Sequence, residues 1–291
     1  MGAGTSVQKD KAGPPSKEEM MKKFKMSEEE YEEVAKDMDM DLSGQGEVED
    51  AGKSNNSASP ESLFEGIVCD PRIGAVTADE AINTIAISYN GSATTPGEDL
   101  VSWVLGPRFA PFDSPERMGM CDFYGKYGFA SCSRKGKVIG LRDPETKEVL
   151  GVMLLRRGPE SDLEVYRTMM KAGYPPHLKK NVYGKEPVRR ESAVLKGQKK
   201  LALKGPQYLL YNLAIKPEHQ GKGCGGALVR ALIALGEKEK VPVCVYVSER
   251  LEAFYTHLGF EQQQLAEVAD PSGQEGSGPL RMVCMVRNPP S

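Results

Sequence analysis

The amino-acid sequence predicts a mixed α/β domain behind an acidic N-terminal tail. A predicted hairpin is followed by strand, helix, strand, helix and two further strands between residues 137 and 286. Charge is divided unevenly, because residues 1–62 hold eight lysines and fifteen acidic residues while the remainder carries a net charge of +4. The tail is also poor in apolar residues, which is typical of disorder. We therefore expect a largely disordered segment over 1–62 and a folded domain over 63–289.

The first half of the domain is predicted to hold one strand and two helices. Residues 67–69 have the composition of a short strand. Thr77 and Glu80 stand at capping-box spacing, which predicts a helix that continues to about Tyr89. Ser114 followed by proline predicts the start of a second helix, because proline is favoured in a first helical turn.

A hairpin and a longer α/β segment are predicted next. The turn 143–147 separates strand-like runs at 137–142 and 149–156. An apolar strand at 208–215 follows, and a helix then carries apolar residues at helical spacing: Leu228, Ala231, Leu232 and Leu235. The last predicted elements are a strand at 243–247, a helix at 249–258, and strands at 260–268 and 281–286.

Residues 157–207 are interpreted as an insertion. Ser161 and Glu164 predict a helix that stops at Gly173. From 156 to 207 there are thirteen Lys or Arg and five acidic residues, a net charge of +8. We favour a solvated surface excursion, and the alternative is a basic wall over a site that binds an anionic partner.

Two motifs mark the tail. Gly2 begins an M-G-x-x-x-[ST] pattern, which predicts N-myristoylation and weak membrane association of a cytoplasmic protein. Residues 39–50 have the acidic spacing of an EF-hand loop, but Gly46 replaces the apolar residue that would lock it. We interpret this stretch as a degenerate relic or an acidic disordered run, with calcium binding as the alternative.

The six cysteines are scattered and form no CxxC pair, so reduced, packed thiols are expected rather than a disulfide framework or a metal site. The N-terminus lacks the apolar region of a signal peptide, so we expect none. No apolar run is long enough to span a bilayer.

A glycine-rich loop joins the 208–215 strand to the following helix. Gln220, Gly223 and Gly225 have Q-x-x-G-x-G spacing, and Lys222 adds a positive charge. Glycines allow close backbone approach, and a helix N-terminus offers unpaired N–H groups to a pyrophosphate. A P-loop is excluded because no Gly-Lys pair here precedes Ser or Thr, and no acidic residue stands where a Rossmann dinucleotide site needs one.

The phrases Leu-Ala-Ile-Lys-Pro-Glu-His-Gln-Gly-Lys-Gly-Cys-Gly-Gly-Ala-Leu, at 213–228, and Ala-Phe-Tyr-Thr-His-Leu-Gly-Phe, at 253–260, resemble the GNAT superfamily of N-acetyltransferases. The resemblance extends over about 63–289, most strongly over 208–261, and is to a branch with a long excursion between the third and fourth strands. It implies a mixed, mostly antiparallel sheet with helices on both faces, and acetyl-CoA as cosubstrate. It also implies that the pantetheine arm lies along Leu213, Ala214 and Ile215. The pyrophosphate would be held by Gln220, Gly221, Lys222, Gly223, Cys224 and Gly225.

Acetyl transfer requires a deprotonated amine and a proton for the leaving thiolate. Tyr255 lies where the family often has a proton donor, although a tyrosine on an amphipathic helix is also a common core residue. Many relatives carry a carboxylate on the fourth strand, whereas Tyr211 and Asn212 stand there in this chain. Glu249, water, or an acceptor of low amine pKa are the alternatives for the base.

The remaining candidates are assigned minor roles. We interpret His219 and His257 as surface or packing residues, and we expect no covalent catalysis by Cys224 or Cys244. The predicted function is acetyl transfer from acetyl-CoA to an amine of a small molecule or a protein, without nucleic acid. A CoA-binding module without turnover and a calcium-responsive adaptor are the other hypotheses.

Overall fold

The computed structural model describes residues 64–290, apart from 68, 96, 110, 159–161, 174–175, 177–179, 204 and 272–277, together with Glu18 and Glu28. The Gly2 motif and the loop at 39–50 lie outside the described residues, as does Ser161.

A seven-stranded sheet organises the described part of the domain. Its strands are β1 (Ile73–Gly74), β2 (Gly136–Arg142), β3 (Val149–Arg157), β4 (Tyr208–Ile215), β5 (Val243–Ser248), β6 (Glu261–Val268) and β7 (Leu280–Arg287). Their order across the sheet is β1-β2-β3-β4-β5-β7-β6. Neighbours are antiparallel except for β4 and β5, which are parallel, so the predicted mixed, mostly antiparallel sheet is confirmed.

Helices connect and cover the strands. In the described residues these are α1 (Ala78–Asn90), α2 (Asp99–Leu105), α3 (Pro115–Lys135), α4 (Asp162–Lys171), α5 (Lys180–Tyr183), α6 (Glu186–Leu201), α7 (Cys224–Glu239) and α8 (Glu252–His257). The helical starts predicted at Thr77 and Ser114 are confirmed. Thr77 and Glu80 form the reciprocal capping box, in which the Glu80 carboxylate accepts from the Thr77 N–H at 2.8 Å. Among the described helices, none is long and apolar enough to cross a membrane.

The side chains of β3 show why both faces of the sheet are covered. Met153 and Leu155 point to one face, where they join a core that includes Leu228 and Leu232 of α7. Val152 and Leu154 point to the other face and pack with α1 residues such as Ile85. Successive strand residues face opposite sides, so a strand buried on both faces reads as one continuous apolar run.

Two predictions for the first half differ from the structure. The first strand is the two-residue β1 at Ile73–Gly74 rather than a strand at 67–69. Helix α2 was not predicted, because its seven residues are too few to show a clear helical period. Near the other end, the segment predicted as one helix at 249–258 is a 3₁₀ turn at Glu249–Leu251 followed by α8.

The predicted surface excursion at 157–207 is wrong for α6, which packs against the sheet. Val194 and Leu201 join a buried core with Met282 and Cys284 of β7. Arg190, on the same helical face, is 1% exposed and forms an ion pair with Asp270, with Nη2 and Oδ2 2.8 Å apart. The buried face of α6 also includes glycine and proline, so its composition concealed its amphipathic period.

Candidate active site

The parallel strands β4 and β5 separate after a short seam. They pair only at Tyr208–Val243, Leu209–Cys244 and Leu210–Val245. Beside the seam, β3 pairs Leu155 with Leu210 but Leu154 with Asn212, which leaves Tyr211 as an extra residue on β4. Such a bulge bends the strand that carries it. The second half of β4 therefore leaves β5, and a cleft opens between the two strands.

The glycine-rich loop follows β4, at the end of the strand that has separated from β5. Gly221 and Gly223 have φ angles of 72° and 81°, in the left-handed region that favours glycine. Gly223 is the N-cap of α7, and no atom lies within 4 Å of the Cβ that a side chain would add there. The backbone at the N-cap of α7 therefore has open space beside it, which leaves room for an anion.

The loop is held to β4 by short contacts. The Gln220 side chain donates from Nε2 to the carbonyl oxygen of Ile215 at 3.0 Å. A Cβ on Gly225 would lie 3.7 Å from the side chains of both Leu213 and Ile215. Leu213 and Ile215 therefore lie next to the predicted phosphate loop. Cys224 is buried, whereas Gly221 and Lys222 are exposed.

These features fit coenzyme A. The N-terminus of α7 suits a pyrophosphate, its first turn contains no acidic residue, and Lys222 adds a positive charge. Beyond the seam, β4 also has backbone groups on the side of β5 that no strand pairs with among the described residues. An extended arm containing amides could bond to such a strand edge.

The cleft itself gathers polar side chains from five separate parts of the chain. Its lining includes Tyr89, Glu98, Tyr211, Asn212, Ser248 and Tyr255. Tyr89 ends α1, Glu98 lies just before α2, Ser248 ends β5 and Tyr255 belongs to α8.

Tyr255 is packed in the core and also lines the cleft. It is 3% exposed, and its ring makes edge contacts with Phe254 and Phe260 at centroid distances of 4.9 and 5.4 Å. It also lines the cleft. Burial raises the pKa of its hydroxyl well above the usual range, and the nearby Glu98 carboxylate raises this pKa further. The hydroxyl therefore keeps its proton at neutral pH.

Glu98 is a carboxylate in the cleft that the sequence analysis missed. Its backbone N–H donates to the Tyr89 carbonyl at 2.9 Å, and its side chain is half-buried. Desolvation raises the pKa of this carboxyl, and Asp99 raises it further, while Arg250 acts in the opposite direction. The local sequence Thr-Pro-Gly-Glu-Asp resembles an ordinary helix start, so only the tertiary structure distinguishes Glu98.

Tyr89 and Asn212 form a pair in the same cleft. The Asn212 amide donates from Nδ2 to the Tyr89 hydroxyl, and its Oδ1 has no hydrogen-bond partner among the described residues. Burial strongly raises the pKa of Tyr89. The position expected to carry a strand-four acid therefore holds a neutral pair, and the carboxylate comes from another element.

The other sequence candidates lie elsewhere. Glu249 is paired with Arg281 at 2.5 Å and lines a wider groove next to the cleft. His219 lies near Glu148 and Glu218 in a solvent-facing group, and His257 is exposed. Cys244 is fully buried, and burial raises the pKa of its thiol to about 12, which disfavours the thiolate.

Residues 189–262 match the family model described as an acetyltransferase (GNAT) domain. Three solved structures resemble the chain more distantly. A histone acetyltransferase HPA2 and related acetyltransferase from Corynebacterium glutamicum is 19% identical, with 76% of this chain and 97% of that chain covered and a TM-score of 0.47. Arylalkylamine N-acetyltransferase 2 from Aedes aegypti is 12% identical, with coverages of 75% and 98% and a TM-score of 0.48. The Bacillus subtilis N-acetyltransferase YlbP, solved in complex with coenzyme A, is 14% identical, with coverages of 52% and 67% and a TM-score of 0.28.

The matched segment contains β4, the glycine loop, α7, β5 and α8, and thus most of the residues that line the cleft. Within that segment, β4 and β5 form the parallel seam of the seven-stranded sheet and then separate. The chain therefore has the α/β fold of GNAT acetyltransferases.

Proposed function

We propose that the protein is an N-acetyltransferase that transfers an acetyl group from acetyl-CoA to an amine by direct attack. The observation that supports this most strongly is a single cleft, beside the splay of β4 and β5, that is lined by both Glu98 and Tyr255. In this proposal Glu98 is the proton acceptor and Tyr255 the proton donor, and the raised pKa of the Tyr255 hydroxyl keeps its proton in place at neutral pH.

Acetyl-CoA would be held by the residues that the sequence singled out. The pyrophosphate would lie at the start of α7 against the N–H groups from Gly221 to Gly225, and the pantetheine arm would run along Leu213, Ala214 and Ile215. The thioester would then lie near the bulge at Tyr211, where the cleft begins.

The amine acceptor would enter from the opposite side, through a wider groove that shares Ser248 and Leu280 with the cleft. Trp103 lines this groove, and its indole N–H donates to the Gly278 carbonyl at 3.0 Å. Asp99 also lines the groove, where it bonds to Ser248 and Arg250.

The reaction would need one proton acceptor and one proton donor. Glu98 takes a proton from the ammonium form of the acceptor, directly or through water, because the raised pKa of its carboxyl brings it closer to that of the amine. The amine nitrogen attacks the thioester carbon, the carbon–sulfur bond breaks, and the thiolate receives the Tyr255 proton. The acylated nitrogen releases its second proton to water, and Glu98 returns its own proton to solvent. Tyr255 is reprotonated from solvent after the products leave.

The alternative is a module that binds acetyl-CoA without turnover, as the lack of an acid on β4 suggests. Glu98 argues against this alternative, since it supplies a carboxylate to the same cleft from the segment before α2. The calcium-adaptor hypothesis depends on residues 39–50, which lie outside the described residues.

The proposal is tested by incubating the purified protein with labelled acetyl-CoA and a panel of amines: a polyamine, an arylalkylamine, a lysine-containing peptide and a peptide with a free N-terminus. We expect acceptor-dependent CoA release and one acetylated product class by mass spectrometry. Acetyl-CoA binding by calorimetry without release of CoA for any amine would favour the binding module and contradict the proposal.

The base is tested with Glu98→Gln, which keeps the shape of the side chain and removes its charge. We expect turnover to fall about 10²-fold or more, because a general base is lost. Glu249→Gln is compared with it as the alternative base, because Glu249 lines the neighbouring groove and is paired with Arg281. The reverse ranking of the two variants would assign the base to Glu249.

A further inference from the structure

Arg117, at the start of α3, is among the largest fully buried side chains of the described residues, at 1% exposure. The sequence does not suggest a role for it, because an arginine in the first turns of a helix is usually solvated. Its buried position instead brings a cation to the junction of α1 and α2.

The guanidinium of Arg117 binds both helices at this junction. It donates from Nη2 to the carbonyl oxygen of Tyr89 at 2.8 Å and from Nε to that of Asn90 at 3.1 Å. These carbonyls end α1, where no intrahelical N–H is available for them. From Nη1 it donates to the Ser102 hydroxyl of α2 at 2.8 Å.

The segment between those contacts carries Glu98. The Glu98 N–H donates to the Tyr89 carbonyl at 2.9 Å, and the Glu98 carbonyl accepts from the Ser102 hydroxyl at 3.1 Å. The two groups that bind the Glu98 backbone are therefore the same two that Arg117 holds. Its backbone is fixed on both sides by one network.

Gly97 allows this network to close. A Cβ at Gly97 would lie 2.3 Å from Arg117 Nη2 and 2.3 Å from the Tyr89 carbonyl oxygen. Real Cβ atoms essentially never approach other atoms so closely, so only glycine lets the segment pass directly over the guanidinium. The sequence around the base is thus fitted to the buried arginine.

A buried cation is an expensive way to gain stability, because desolvation offsets much of the attraction. Fixing a geometry is the better explanation of such a group. We propose that Arg117 is a positioning residue that holds the 97–102 segment in the conformation that directs Glu98 into the cleft. This inference rests on the proposed role of Glu98 as base.

The test compares variants that disturb the network in different ways. Arg117→Lys keeps the charge but loses the forked geometry of the guanidinium. Ser102→Ala removes the hydroxyl that accepts from Arg117. Gly97→Ala inserts a methyl group between the guanidinium and the Tyr89 carbonyl. We expect each to lower kcat/KM for the amine, by up to about 10²-fold if Glu98 shifts by about 1 Å. The calorimetric Kd for acetyl-CoA should not change, because the cofactor loop is on another element. Gly74→Ala is the matched control, since its added Cβ meets no atom within 4 Å.

The pH profile separates positioning from general stabilisation. The charged and titratable groups around Glu98 are Asp99 on its own segment, Arg117 and Cys121 of α3, Arg250 of the β5–α8 turn, Tyr89 of α1 and Tyr255 of α8. Arg117→Met removes a cation that lowers the Glu98 pKa, so the acidic limb of kcat/KM should move to higher pH. Arg117→Lys, which keeps the charge, should move it less.

Two results would overturn the inference. One is a set of folded Arg117→Lys and Gly97→Ala proteins with wild-type kcat/KM. The other is a loss of activity that follows the fraction unfolded, with the acidic limb unmoved. If Arg117→Met does not fold, Ser102→Ala and Gly97→Ala still decide the question. A fully active Glu98→Gln protein would instead refute the proposed base, whatever the Arg117 variants do.

Discussion

Replacing Tyr255 by phenylalanine and by alanine separates its two possible roles. Among the described residues, the Tyr255 hydroxyl makes no hydrogen bond, so Tyr255→Phe should leave packing and stability nearly unchanged. If that hydroxyl protonates the leaving thiolate, kcat should fall about 10²-fold or more. The loss should appear in kcat rather than in KM for acetyl-CoA, because the interaction forms mainly in the transition state.

Tyr255→Ala should act on stability instead. The ring is 3% exposed and packs against Phe254 and Phe260, so its removal leaves a cavity in the core. Truncation of a buried aromatic residue costs about 3–5 kcal/mol. At about 2–4 °C per kcal/mol for a domain of this size, Tm should fall by roughly 6–20 °C.

Steady-state kinetics with saturating amine and a thermal unfolding scan on the same preparations measure both effects. A Tyr255→Phe enzyme with full kcat would remove Tyr255 from the mechanism, and the thiolate would then leave unprotonated or through water. A Tyr255→Ala protein with wild-type Tm would show that the ring does not support the core as the structure indicates.

Three further outcomes are expected. Gly223→Glu should abolish acetyl-CoA binding in calorimetry, because it adds a side chain and a negative charge where the phosphates would lie; unchanged affinity in the folded variant would refute the assignment of the loop. Arg190→Met should lower the free energy of unfolding by about 3–5 kcal/mol in chemical denaturation, because it leaves Asp270 buried without its partner. The double variant Arg190→Met with Asp270→Leu should recover much of this loss. An unchanged free energy of unfolding in the single variant would contradict the prediction. Glu98→Gln should unfold at the same or a higher temperature than wild type at pH 7.5. A carboxyl whose folded pKa is raised destabilises the native state as pH rises from the unfolded to the folded pKa, so the advantage of glutamine should vanish below about pH 4. A lower Tm of the variant at pH 7.5 would contradict the raised pKa of Glu98.

The parts of the fold that the sequence predicts correctly are set by local chemistry. The capping box at Thr77, the hairpin turn between β2 and β3 and the glycine loop before α7 each depend on residues close in sequence. Their dihedral preferences and hydrogen bonds are nearly complete within a few residues, so the pattern alone identifies them.

The parts it misses depend on distant residues. Helix α2 is held by packing of Val101 and Val104 in a core that includes β7, and α6 is buried through Arg190 and its partner Asp270. The glycine loop before α7 was predicted because it is one continuous segment. Glu98 was not predicted as a site residue, because its position in the cleft is fixed by α1, α2 and α3 together. No residue spacing in the sequence indicates that these three helices come together.

The three-residue seam between β4 and β5 has a consequence for the cooperativity of folding. The sheet consists of two antiparallel halves, one made of β1, β2, β3 and β4 and the other of β5, β7 and β6. These halves share few backbone hydrogen bonds with each other. A ligand lying in the splay would bridge both halves and so act as a missing strand. At a concentration 100 times its Kd, such a ligand adds about 2.7 kcal/mol to the stability of the native state. Amide hydrogen exchange should then slow on β4 and β5 together. Such joint slowing would show that the two halves of the sheet open as one unit rather than as two.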